Sequence, residues 1–173
     1  MKKLHLLILV FVAITKLSYS QVIKANTIIK ANTISYATTI NSGQNIVANN
    51  TGNKLQNQKP KISPSFINHF EKADKNALLK VFDQVFTKTR IQQLLPERGI
   101  FIEFYVNPKG DVIEVSFNLD KNTLITVTEL QQLEIEIKKQ VKFSLLDKET
   151  KGGDFFVFSE FVRFNRILDR TLQ

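Results

Sequence analysis

Cysteine is missing from this chain of 173 residues, and so is tryptophan. Without cysteine there is no disulfide, no thiolate metal site, no thiol nucleophile and no residue to carry the lipid of a bacterial lipoprotein. Histidine occurs twice, as His5 and His69. A single histidine with no second ligand in its neighbourhood does not make a metal site, and His69 reads as a surface or boundary residue. No Ser-His-Asp or metal-ligand spacing occurs. Glu103 and Glu114 could face each other across a hairpin, but cross-strand glutamates on an exposed face are ordinary and no pocket residues accompany them. No catalytic residue, metal ligand or cofactor is therefore expected.

Long apolar runs are also lacking. Leu4–Ile14 is apolar apart from His5, well short of the roughly 20 residues that span a bilayer. Lys2 and Lys3 precede the run, and Lys16, Ser18 and Ser20 follow it. Basic, apolar, then small residues is the plan of a signal peptide. Residues 1–20 are thus expected to be removed by cleavage after Ser20, leaving no stable membrane span and an exported, periplasmic or secreted product. The ending Ser18-Tyr19-Ser20-Gln21 resembles export signals common in Bacteroidetes. The formal charge of +8 shrinks accordingly, because Lys2, Lys3 and Lys16 lie in that segment. The remaining basic residues are dispersed, with no basic run among stacking aromatics, so no nucleic-acid partner is expected.

Residues 21–63 have few large apolar side chains. Ile23–Ile28 reads IKANTI and Ile29–Ile34 repeats it, with a looser echo to Ile40. Two copies are too few for a solenoid. Asn, Thr, Gly, Gln and Lys dominate from there to Lys61, a composition that offsets little ordering entropy. The segment reads as a low-complexity, mostly disordered tether, and residues 64–173 as a single domain.

In that domain Asp74 is placed to cap a helix carrying Leu78, Leu79, Phe82, Val85 and Phe86 on one stripe. The stripe extends through Ile91, Leu94 and Leu95 until Pro96 stops it. Ile100, Ile102, Phe104 and Val106 alternate as in a half-buried strand. Asn107-Pro108-Lys109-Gly110-Asp111 supplies the turn, and Ile113, Val115, Phe117 and Leu119 form one face of the returning arm. Thr126 and Glu129 have capping-box spacing ahead of Leu130, Leu133, Ile137 and Val141. Glutamates early and lysines late complement the helix dipole. Phe155–Phe164 reads FFVFSEFVRF, with strong strand propensity and apolar residues on both faces.

These residues carry a resemblance. A hairpin reading VNPKGDV, a helix ending in VKF, a glycine-containing loop and a last apolar strand resemble the C-terminal domain of TonB over Gly99–Phe164. Val106, Gly110 and Val112 match the family's hairpin signature, and Lys142-Phe143 its helix end. The resemblance implies a periplasmic domain that binds a segment of outer-membrane receptors by strand addition. The expected fold is α+β: a small antiparallel sheet with a β-β-α-β core and helices packed on one face. The expected function is a non-catalytic protein-binding module of the cell envelope. Phe155–Phe164 is the candidate edge strand, with Phe155, Val157, Phe161 and Arg163 as contacts. The partner is an envelope protein such as an outer-membrane receptor, or a second copy of the chain in a self-assembling structural role.

Overall fold

The computed structural model describes residues 22–61, 74–144 and 153–172. The expectations for His69 and for the signal peptide, residues 1–20, fall outside them. Among the described residues eleven elements follow in order: β1 (Ile28–Lys30), β2 (Ser35–Ile40), β3 (Ile46–Asn50), α1 (Lys75–Val85), α2 (Lys88–Leu94), a 3-10 turn (Leu95–Glu97), β4 (Gly99–Val106), β5 (Val112–Leu119), α3 (Val127–Gln140), β6 (Phe156–Arg163) and α4 (Phe164–Leu168). The strands form one six-stranded sheet in the order β1-β2-β3-β5-β4-β6. Every pairing is antiparallel. The helices pack against this sheet, so the fold is α+β as the sequence implies.

The core begins with the β4–β5 hairpin. Asn107 Oδ1 accepts from the Lys109 and Asp111 amides, an Asx turn that starts the reversal. Gly110 closes it with φ at 84°. A β-carbon there would lie 2.0 Å from the Phe143 carbonyl oxygen, so only glycine fits. The register shifts between Tyr105 and Val106, pairing Val106 with Val112. This bulge corrects the expected face of the second arm. Val112 is buried and Ile113 is exposed, because the extra residue reverses the alternation at that end.

Caps divide the helices. Asp74 accepts from the Asn76 and Ala77 amides and starts α1. The apolar stripe does not run through to Pro96 as one helix. Phe86 is extended, and the Thr87 hydroxyl accepts from the Arg90 amide to start α2. A side chain that caps a new helix interrupts the old one. Leu95 falls beyond the stripe and is exposed. Thr126 and Glu129 form the capping box of α3, and Leu130, Leu133 and Ile137 point inward. Ile100, Ile102, Phe104, Val115 and Phe117 meet these helices in one continuous core.

Residues 22–61 are the largest departure from the sequence reading. They are not a tether: β1, β2 and β3 extend the sheet of the following domain through pairing of β3 with β5. A sheet needs apolar residues on one face only, and Ile29, Tyr36, Ile46 and Ala48 supply them. Mean composition hides this, because it weights both faces and the turns equally. Several polar residues of the segment are hydrogen-bonded, although the Asn49 side-chain oxygen and the Asn53 side-chain nitrogen are buried without a partner. The Thr38 hydroxyl donates to the Lys24 carbonyl at 2.6 Å and accepts from the Thr27 amide at 3.1 Å. Gln131 Oε1 on α3 accepts from the Thr33 and Ile34 amides at 2.9 and 3.3 Å. Both copies of the hexapeptide place their first isoleucine in the core, as Ile23 and Ile29.

Candidate docking edge

The sequence FFVFSEFVRF is aromatic and β-branched enough to be a strand wherever it lands. Topology puts it at an edge: β6 pairs with β4 and ends the sheet order. The phase of its hydrogen bonds follows from one contact. The Phe164 amide donates to the Arg98 carbonyl at 3.0 Å. In an antiparallel pair, bonded and non-bonded positions alternate. Ile100↔Val162 and Ile102↔Glu160 are therefore bonded positions, while Phe101↔Phe161, Glu103↔Ser159 and Tyr105↔Val157 are not. The amides and carbonyls of Val157, Ser159, Phe161 and Arg163 consequently point away from β4, toward the open side of the sheet.

The four expected contact residues are thus treated differently. Val157 is partly buried, and Phe161 and Arg163 are exposed. All three sit at outward-bonding positions on one face. Phe155 is a correction. It precedes the strand, is 1% exposed and packs beside Tyr105 with ring centroids 6.1 Å apart. Its ring is used internally and is not available to a partner. Behind the strand, Phe158 stacks on Phe143 at 4.6 Å, and Phe143 meets Phe104 edge-on at 5.4 Å. The strand is held from its inner face, which leaves the outer backbone in place.

Phe161 is 44% exposed. Its strand neighbours on the same face are Phe101 and, beyond it, Asn118. The Arg163 guanidinium lies 5.9 Å from its ring centroid, a cation–π contact. Three clefts converge on this ring. One of about 460 Å³ is lined by Leu95, Arg98, Phe161, Arg163 and Asn165. A second, of about 400 Å³, runs along the sheet past Phe101 and Asn118 to Asn45. The third, of about 530 Å³, includes Glu160, Arg166 and Leu172.

Sequence reasoning missed Leu95, Arg98 and Asn165, which are remote from Phe161 in sequence or lie past the strand. Arg98 is placed by its left-handed backbone, with φ at 67°, and by its carbonyl bond to Phe164. Gly99 allows the close approach that follows. A β-carbon there would lie 2.3 Å from the Val162 carbonyl oxygen. One nearby carboxylate, Glu97, is committed elsewhere. Glu97 accepts from the Thr123 hydroxyl at 2.7 Å and from the Leu124 amide. Burial raises its pKa, partly offset by those two bonds. Glu103 is raised by burial as well.

The two glutamates suggested as a facing pair are not one. Glu103 is opposite Ser116, and Glu114 is opposite Tyr105 and ion-pairs with Lys138 at 2.7 Å. Among the described residues no group of three or more His, Cys, Asp or Glu side chains could hold a metal ion. Nor is any described helix long and apolar enough to cross a membrane.

The fold has a solved counterpart. A DUF5043 family protein from Bacteroides uniformis ATCC 8492 superposes with a TM-score of 0.65 at 19% identity, covering 84% of this chain and 89% of that one. The likeness is one of fold. It covers more of the chain than residues 64–173 could supply, so it takes in part of the amino-terminal region too. No family model matches the sequence, and no curated protein does.

Proposed function

We propose that the chain is an exported protein-binding module of the cell envelope, without catalysis, that captures an extended segment of a partner as a seventh strand beside β6. One observation carries this reading. The outward-bonding positions of an edge strand coincide with its exposed aromatic and cationic side chains, Phe161 and Arg163. Strand addition draws affinity from main-chain hydrogen bonds and specificity from alternate side chains. An edge with a bare aromatic is otherwise an aggregation liability. The TonB-like pattern over Gly99–Phe164 and the basic–apolar–small amino-terminal pattern support the same reading, with an outer-membrane receptor as the partner class.

The test is crosslinking from the native envelope with the full chain as bait, comparing wild type with Val157→Pro. The Val157 amide faces away from β4, so proline there spares the internal ladder while removing a donor for an added strand. Recovery of an outer-membrane receptor that is lost in the proline variant supports capture by β6. Recovery of the protein alone transfers the edge to self-assembly, the second role open to it. Capture unchanged by the proline removes β6 from the mechanism.

A further inference from the structure

We infer that the strand captured at β6 carries an acidic side chain next to an apolar one, seated in the cleft between Leu95, Arg98, Phe161 and Arg163. This inference rests on the capture reading above and specifies the chemistry of its partner. Leu95 and Phe161 are 39% and 44% exposed, and both line this one cleft. Its other side chains are Arg98, Arg163 and Asn165, so the lining contains two cations and no carboxylate. The ion pairs made by described arginines are Arg90–Glu129 and Arg170–Asp83, both elsewhere.

The neighbouring clefts differ. One includes Glu97 and Asp120, the other Glu160. Arg98 also lines the first, and Arg163 and Arg166 the second, so of these three clefts only the one with the apolar floor has arginines in its lining and no carboxylate. Exposed arginines are ordinary by themselves. Here a strand edge delivers a partner's side chains to them. The outward backbone groups of Phe161 and Arg163 would hold an added strand beside the cleft, so side chains on that strand enter it with little further ordering. An apolar side chain covers Leu95 and Phe161. A carboxylate beside it meets guanidinium groups that form charge-assisted, bidentate bonds. A lysine at the same place would be repelled. A phosphate backbone would satisfy the arginines but leave the apolar floor bare, which favours peptide over polyanion.

The experiment is fluorescence anisotropy on the full chain with labelled valine–threonine peptides of about ten residues. The peptides contain a leucine–aspartate, leucine–asparagine or leucine–lysine pair. The aspartate peptide is expected to bind about tenfold more tightly than the asparagine one, and the lysine peptide most weakly. Added salt should narrow the gap. The double variant Arg98→Ala, Arg163→Ala should erase the gap between the aspartate and asparagine peptides. Equal affinity for all three peptides would overturn the acidic preference and leave strand capture standing. Binding of no peptide, or binding indifferent to Val157→Pro, would overturn capture and this inference with it. Binding of polygalacturonate in place of any peptide would reassign the cleft to an acidic polysaccharide.

Discussion

The Tyr36 hydroxyl donates to Glu134 across 2.8 Å, and both side chains are wholly buried. This bond ties β2 to α3, which are remote in sequence. The Asn50 amide donates to the same carboxylate at 2.7 Å, and the Lys138 ammonium at 2.8 Å. Lys138 also reaches Glu114. Partial burial works against the Lys138 charge, but its two glutamate partners outweigh that and raise its pKa. A buried carboxylate is tolerable only when its acceptor positions are filled, and here three donors fill them. The amino-terminal strands are therefore clipped to the domain by a polar network beneath an apolar face.

Removing the carboxylate should be costly. Glu134→Ala leaves Tyr36, Asn50 and Lys138 without their shared acceptor and is expected to destabilise the fold by about 3 kcal/mol. Tyr36→Phe should cost about 1 to 2 kcal/mol. Urea unfolding followed by circular dichroism measures both. A loss below about 1 kcal/mol for Glu134→Ala would show that the network contributes little.

Alkaline titration gives a separate check. Burial, and then the neighbouring Glu134, raises the Tyr36 pKa far above that of an ordinary tyrosine. The folded chain thus holds this proton more tightly than the unfolded chain. Its contribution is complete below the ordinary tyrosine value, near 10, and falls as pH rises above it. Wild type should lose stability more steeply than Tyr36→Phe above about pH 10. Parallel curves for the two proteins would contradict the assignment.

Glu103 should show the opposite benefit from substitution. Burial raises its pKa, so its charged form disfavours the fold at neutral pH. Glu103→Gln is expected to raise stability at pH 7 by less than about 1 kcal/mol. The folded state favours the protonated glutamate, whose contribution is complete below the ordinary value near 4.3 and is lost as pH rises through the elevated one. The advantage of the variant should therefore vanish in acid. An advantage that persists below about pH 4 would have another cause.

Gly110→Ala combines a positive φ with a clash against the Phe143 carbonyl. The expected loss is about 2 to 3 kcal/mol in chemical denaturation. A near-neutral result would mean that the turn and the end of α3 can separate without consequence.

Phe161→Asp should leave stability within about 0.5 kcal/mol of wild type, because the ring is exposed. The same change at Phe104, which is buried, should prevent folding. Thermal melts of the two variants distinguish a surface aromatic from a core one.

Local chemistry determined much of this protein from sequence alone. Asp74 and the Thr126–Glu129 box start helices because a cap needs only its own neighbours. Asn107 to Asp111 makes a turn because asparagine and glycine satisfy its backbone demands without tertiary help. The strand character of FFVFSEFVRF is likewise intrinsic. The tertiary structure decided the rest. Residues 22–61 read as disordered because their composition is poor in apolar residues, yet β5 and α3 provide the pairing and the face they lack. The glutamates early in α3 read only as complementing the helix dipole, because helix periodicity cannot reveal that one of them, Glu134, meets a tyrosine on a distant strand. Phe155 and Phe161 look equivalent in the sequence. Only the sheet order and the Tyr105 ring bury one of them and leave the other at the edge, beside arginines brought there by an antiparallel register.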